Sequence, residues 1–218
     1  RRPSLILLTL AFAYPTWTAA QQIPSPEQFF GHQMGADRQL ARWDKLVEYY
    51  DLIGERSDRV RVEHMGPSTL GNPFLSIFVS SPENLANLDE IKHMNAILQD
   101  PRGHSQAEVD NAIENSKVVF VQSYGLHSTE VASSQSAAEI MYDFATRDDD
   151  GIQEILDNTV SILIPAFNPD GNIIVTDWYN RWVGTEYEGS GPPELYHHFI
   201  GHDNNRDAFM QATIESWY

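Results

Sequence analysis

Two short apolar runs, residues 118–121 and 160–164, limit most strongly what this 218-residue chain can fold into. Both are rich in Val and Ile, whose branched side chains favour strands, and both are nearly continuous in apolar character. Strands with this pattern are buried on both faces, as in a sheet that helices cover. We therefore predict interior strands over residues 117–122 and 160–165.

Helical spacing lies between these runs and before them. The predicted helices are residues 36–54, 83–98, 130–146 and 152–156, with one more that opens at the capping box of Ser105 and Glu108. Residues 59–65 and 73–80 alternate in polarity and predict two paired strands around a turn. This order predicts a one-domain α/β fold whose sheet is mixed, has mostly interior strands, carries helices on both faces and is incomplete at its C-terminus.

The first residues differ from everything after them. Arg1 and Arg2 precede an apolar stretch over residues 5–14, and small residues end at Ala20. This layout predicts a signal peptide over residues 1–20, a linker over 21–35 and export to the periplasm or the medium, with a bacterial source favoured. A buried N-terminal strand is the alternative.

Charge and cysteine content exclude several classes of protein. The net charge of -17 is spread along the chain without a basic block, which disfavours nucleic acids and anionic membranes as partners. The apolar stretch is too short for a membrane span, so none is predicted after signal removal. The chain has no cysteine, so any metal must be held by His, Asp or Glu.

His127 and Glu130 directly follow the first predicted interior strand, where α/β sheets place ligands. Side chains three residues apart on one turn are neighbours, so an imidazole nitrogen and a carboxylate oxygen can meet at one cation such as zinc. A His at a helix start with a first-turn Glu that favours the helix dipole is the alternative, and the motif alone favours it.

Two later motifs change this balance. Asn168-Pro169-Asp170-Gly171 follows the next predicted strand, and Asp203-x-Asn205-Arg206 comes after it. In this order the motifs resemble those of the carboxypeptidase A-like zinc metallopeptidases, and the turn with Gly66, Ser68 and Gly71 is similar to one that family carries before its zinc motif. The resemblance covers most of the chain after Arg38, so residues 36–218 are expected to be the N-terminal part of such a catalytic domain.

The resemblance implies a zinc ion held by His127, Glu130 and a third ligand. Asp203 would hold His127 in the right tautomer, although a loop acid or a helix N-cap is the alternative for it. The Asn168–Gly171 motif would be a structural turn that ends a strand.

The resemblance also implies how a peptide substrate binds. Asn205 and Arg206 would bind its terminal carboxylate, for which the planar guanidinium is suited; a surface ion pair is the alternative for Arg206. Arg181 would polarise the scissile carbonyl. Thr129 stands where the family often has arginine, which puts part of the substrate subsite in doubt.

By family spacing, the third zinc ligand and the general-base glutamate lie beyond Tyr218. His198 and His202 are four apart but sit in sequence unsuited to a helix, so loop histidines are favoured over ligands, and Glu215 is not taken as a base.

We therefore predict a parent metallocarboxypeptidase that hydrolyses C-terminal peptide bonds, and only weak zinc binding and no peptidase activity for these residues alone. A non-catalytic peptide-end-binding protein and a zinc-free solute-binding domain are the alternatives, and side-chain preference stays open.

Overall fold

The computed structural model describes residues 22–194, 197–200 and 204–218. The predicted signal peptide, His202 and Asp203 lie outside the described residues. In the described part of the chain, none of the helices has the length and apolar character that crossing a bilayer requires.

The sheet is mixed, as the sequence predicted. Its strands are β1 (Val60–Pro67), β2 (Pro73–Val79), β3 (Val118–Ser123) and β4 (Thr159–Ile164), in the spatial order β1-β2-β4-β3. β2 pairs antiparallel with both β1 and β4, whereas β3 and β4 run parallel. A parallel pair needs a crossover, and the two helices between β3 and β4 provide it.

Helices cover both faces of the sheet. They are α1 (Pro26–Phe30), α2 (Trp43–Arg56), α3 (Pro82–Ala86), α4 (Leu88–Gln99), α5 (Gln106–Asn115), α6 (Val131–Thr146), α7 (Asp150–Asn158), α8 (Pro169–Trp182) and α9 (Asp207–Met210). On one face, Ile77 and Leu163 pack with buried residues of α2 and α6. On the other, Val160 packs with residues of α4 and α5. The predicted arrangement of helices on both faces is therefore confirmed.

The prediction that β3 is an interior strand is wrong. β3 lies at the edge of the sheet and pairs with β4 alone among the described strands. Four consecutive apolar side chains are exposed: Val118 66%, Val119 41%, Phe120 52% and Val121 62%. An apolar β-branched run reports that its side chains favour burial, but it does not identify the element that covers them.

Two predicted helices have other boundaries in the structure, and a third helix, α8, was not predicted because its first residues were interpreted as a structural turn. α2 begins at Trp43 instead of residue 36, because Arg38 has a φ of 59° and Arg42 is extended. Asn87 is non-helical and divides the predicted helix 83–98 into α3 and α4. The motif that begins at Asn168 starts α8: the Asn168 side chain accepts the Gly171 N–H at 2.8 Å, and Pro169 occupies the first helical position.

Candidate metal and carboxylate site

The carboxyl ends of β3 and β4 lie side by side because the two strands are parallel. The loops that leave them stay joined: Phe167 N–H donates to Tyr124 O at 2.7 Å, and Asn168 N–H donates to Gly125 O at 3.1 Å. These bonds bring the loop with His127 next to the loop that starts α8. The candidate site is built at this end of the sheet, beside the carboxyl ends of β3 and β4.

Gly125 allows the chain to turn from β3 towards His127. Its φ of +57° lies in the left-handed region, and a Cβ at this position would overlap Ser134 Oγ of α6. Its N–H donates to Ser133 Oγ at 2.9 Å. The turn is thus fixed against the first turns of α6, which follows Glu130 directly.

His127 and Glu130 are brought together, as the sequence predicted. His127 Nδ1 lies 2.9 Å from Glu130 Oε1, and Glu130 N–H donates to His127 O at 3.0 Å. The imidazole is largely covered, with 28% of its side chain exposed, whereas 64% of the Glu130 side chain is exposed. One nitrogen and one carboxylate oxygen therefore converge at a position that solvent can reach.

This donor pair fits part of a zinc site. Imidazole nitrogen and carboxylate oxygen are donors that zinc accepts, and two ligand atoms on one tetrahedral zinc lie about 3.3 Å apart. The observed separation of 2.9 Å needs only a small opening to admit the ion. Within the described residues, no group of three His, Asp or Glu side chains is placed to hold a metal, so this pair supplies an incomplete ligand set.

Asn205 and Arg206 lie on a short 3-10 helix, Asn204–Arg206. Both are exposed, whereas their neighbours Asn204 and Asp207 are buried. Asn204 Nδ2 donates to Phe167 O at 3.1 Å, and Phe167 is the residue whose N–H binds Tyr124 O. The predicted carboxylate-binding pair is therefore anchored beside the carboxyl ends of β3 and β4, where His127 also lies.

Arg181 lies elsewhere on the molecule. It is exposed in the last turn of α8, with its guanidinium carbon 6.0 Å from the centroid of the Trp178 ring. The rise of 1.5 Å per residue places it about 18 Å along α8 from Pro169, whose end of the helix borders the site. The structure does not bring Arg181 to the His127–Glu130 pair.

Buried carboxylates beside the site are the main feature that the sequence analysis missed. Asp170 binds the loop of residues 68–72 through Ser68 Oγ, through Leu70 N–H at 2.8 Å and through Asn72 Nδ2 at 2.7 Å. The co-occurrence of the Gly66-x-Ser68 turn and the Asn168–Gly171 motif was the signal that could have predicted this contact. It shows that the motif at Asn168 connects two loops as well as starting a helix.

Glu215 is a second buried carboxylate. Its Oε1 accepts Thr69 N–H at 2.6 Å, and its Oε2 lies 3.5 Å from Nε2 of the buried His197. Burial alone would raise the pKa of Glu215, but the nearby His197 imidazole and the hydrogen bonds from Thr69 outweigh it and hold the pKa at about 2. His197 Nδ1 accepts the N–H groups of Phe199 and Ile200, so Nε2 carries the proton. Glu215 is thus committed to loop contacts.

The described residues thus form an α/β sheet with a His–Glu pair and an exposed arginine beside the carboxyl ends of its parallel strands. The sequence model of the zinc carboxypeptidase family, peptidase M14, matches residues 46–216, and the chain belongs to this family. A search of curated proteins gave no match.

Several solved structures resemble part of the chain. Thrombin activatable fibrinolysis inhibitor is 16% identical with a TM-score of 0.44, over 72% of this chain and 35% of that one. Carboxypeptidase A from Helicoverpa armigera is 14% identical with a TM-score of 0.44, over 67% of this chain and 31% of that one. A putative carboxypeptidase A from Shewanella denitrificans OS-217 is 16% identical with a TM-score of 0.42, over 67% and 32%. The chain therefore spans about a third of the length of these structures.

Proposed function

We propose that the protein carrying this chain is a zinc-dependent metallocarboxypeptidase that removes C-terminal residues from peptides. One observation carries the proposal. The His127–Glu130 pair and the exposed Asn205–Arg206 pair are both anchored beside the carboxyl ends of β3 and β4, through Phe167 and Tyr124. A cation site beside a carboxylate-binding site suits the last peptide bond of a chain. When bound, zinc would supply an activated water and polarise the carbonyl.

The residues of this chain have distinct roles in the proposal. Arg206 and Asn205 bind the terminal carboxylate and thereby select exopeptidase substrates, since a guanidinium can donate two parallel hydrogen bonds to a carboxylate. His127 and Glu130 hold the ion, and Asp203 orients His127. Arg181 would have to reach the scissile carbonyl from the last turn of α8.

The third ligand and the general base are assigned to sequence beyond Tyr218. Two ligands without a base do not activate water, so we expect weak zinc binding and no peptidase activity from residues 1–218 alone. We propose export of the protein on the basis of residues 1–20, with peptides outside the cytoplasm as substrates.

Zinc content tests the metal part of the proposal. In a longer version of the protein we expect about one equivalent of zinc, lost in His127→Ala and retained in the matched control His198→Ala, whose side chain is exposed. Less than about half an equivalent, unchanged by His127→Ala, would contradict the proposal.

Peptides that differ only at the C-terminus test the proposed binding of the terminal carboxylate. Peptides with a free C-terminus should be hydrolysed and their amidated forms spared, and Arg206→Ala should remove this distinction. Chelator-sensitive hydrolysis by residues 1–218 alone would show that the assignment of the missing groups is wrong.

A non-catalytic peptide-end-binding protein is the second candidate. The exposed Asn205–Arg206 pair supports it, because binding of a terminal carboxylate needs neither a third zinc ligand nor a general base. Binding of free C-termini without zinc-dependent turnover by the longer protein would establish this candidate instead.

A further inference from the structure

The segment that carries Asn205 and Arg206 is fixed on its C-terminal side by one buried carboxylate. Asp207 Oδ1 accepts Ala212 N–H at 2.7 Å. Its Oδ2 accepts Thr213 N–H at 2.9 Å, Thr213 Oγ–H at 2.6 Å and Ser216 Oγ–H at 2.7 Å. Burial would raise the pKa of Asp207, but these bonds outweigh it and hold the pKa well below its ordinary value. The carboxylate is therefore ionised and saturated with donors.

These contacts close a loop over residues 207–216, directly after Arg206, which we call the ring. The backbone reverses at Gln211, whose φ is 50° and whose N–H donates to Asp207 O at 2.7 Å. The far side of the ring contains Glu215, which binds the backbone of Thr69. The ring is therefore attached to a loop that belongs to another part of the fold, so it cannot move as an independent tail.

Both neighbours of the exposed pair are thus anchored. Asn204 binds Phe167 O on one side, and Asp207 binds the ring on the other. Two buried side chains that flank two exposed ones fix where the backbone of Arg206 lies and in which direction its side chain leaves. A guanidinium reads a carboxylate through two parallel bonds, so a displacement of about 1 Å is enough to weaken recognition.

We propose that Asp207 is the positioning residue for Arg206, through which the chain distinguishes a free peptide carboxylate from its amide. This inference rests on the proposed carboxylate binding by Asn205 and Arg206. Asp207 itself is buried and does not touch the substrate, so its effect passes through the backbone that it shares with Arg206.

The test measures discrimination with two probes, N-acetylglycine and N-acetylglycinamide, on the whole chain, because glycine has no side chain that a pocket would have to accept. We expect the wild type to bind the acid at least about tenfold more tightly than the amide, as a charge-assisted pair allows. Asp207→Ala should reduce this ratio to about threefold or less, and Asp207→Asn should give an intermediate ratio. The ratio of the two affinities is independent of the fraction of folded protein, because misfolding lowers the apparent affinity for both probes by the same factor.

Two further variants separate positioning from stability. Thr213→Val removes one donor to Asp207 without changing shape, and should lower the ratio by a smaller factor in a chain that folds. Asn84→Ala removes buried hydrogen bonds to Leu156 O and Asp157 O near the start of β4, at the opposite end of the sheet. It should lower stability and leave the ratio unchanged.

The outcomes distinguish this inference from the function on which it rests. A wild-type chain that does not prefer the acid contradicts the carboxylate-binding proposal itself. If the wild type prefers the acid and this preference persists in Asp207→Ala and Thr213→Val, the positioning role is overturned. The same holds if Asn84→Ala lowers the ratio as much as Asp207→Ala does. In both cases the proposed function still stands.

Discussion

The carboxylate of Asp170 accepts the backbone N–H of Leu70 at 2.8 Å across 100 residues of sequence. Ser68 and Asn72 bind its other oxygen, and the Asp170 side chain is buried. The turn between β1 and β2 is therefore held by the N-terminus of α8, beside the loop that carries Phe167. Asp170 links the outer hairpin of the sheet to the candidate site.

Replacing Asp170 by Ala should lower the free energy of unfolding by about 3 kcal/mol, because three donors lose a charged acceptor in a buried place. Urea unfolding measures the change. The control is Asp110→Ala, which removes an exposed carboxylate from α5 and should change stability by less than about 0.5 kcal/mol. Equal midpoints for the two variants would show that the Asp170 contacts contribute nothing to stability.

Stability should fall in acid because of Glu215. Its pKa is about 2 in the folded protein and 4.5 ordinarily, so the folded state holds the carboxylate ionised more strongly than the unfolded state does. The stability that this group contributes is present above pH 4.5 and is lost as the pH falls towards about 2, to a total of about 3 kcal/mol.

Glu215→Gln provides the comparison for that titration, since an amide does not ionise. Urea unfolding from about pH 6 down to about pH 2 should show a gap between wild type and variant that narrows through this window. A gap that stays constant with pH would mean that Glu215 titrates alike in both states.

Gly125→Ala should destabilise the chain by about 2 to 4 kcal/mol, from a methyl group in the left-handed region and its overlap with Ser134 Oγ. Removing that hydroxyl in Ser134→Ala should relieve the overlap, so the double variant should recover at least about 1 kcal/mol relative to additivity. Thermal or urea unfolding of the four proteins gives the coupling. Strict additivity would show that backbone strain alone opposes a side chain at Gly125.

The sequence was sufficient for features that depend on local pattern. The spans of β3 and β4 followed from their apolar runs, and those of β1 and β2 from their alternating polarity. The helix that opens at Ser105 followed from its capping box, which the structure contains. The pairing of His127 with Glu130 followed from the three-residue spacing on one turn.

Features that depend on distant partners could not be predicted in this way. Asp170, Asp207 and Glu215 look like ordinary acids in the sequence, and only the fold shows that each is buried among specific donors. Arg181 was chosen because it lies between two motifs. Chain order does not report that α8 carries it away from the candidate site, beside which the helix starts. The position of β3 at the sheet edge was missed for the same reason.

β3, which pairs with β4 alone among the described strands, should make the 218-residue chain self-associate. A strand with four consecutive exposed apolar side chains and no charge among them is a template for pairing with another strand. Phe120→Lys places a charge on this edge and should keep the chain monomeric at concentrations where the wild type forms larger species in light scattering. Ile113→Lys is the matched control, because Ile113 is 65% exposed on α5, away from the strand edge. If both substitutions reduce association equally, general surface hydrophobicity is responsible. If only Phe120→Lys does so, the chains associate through β3.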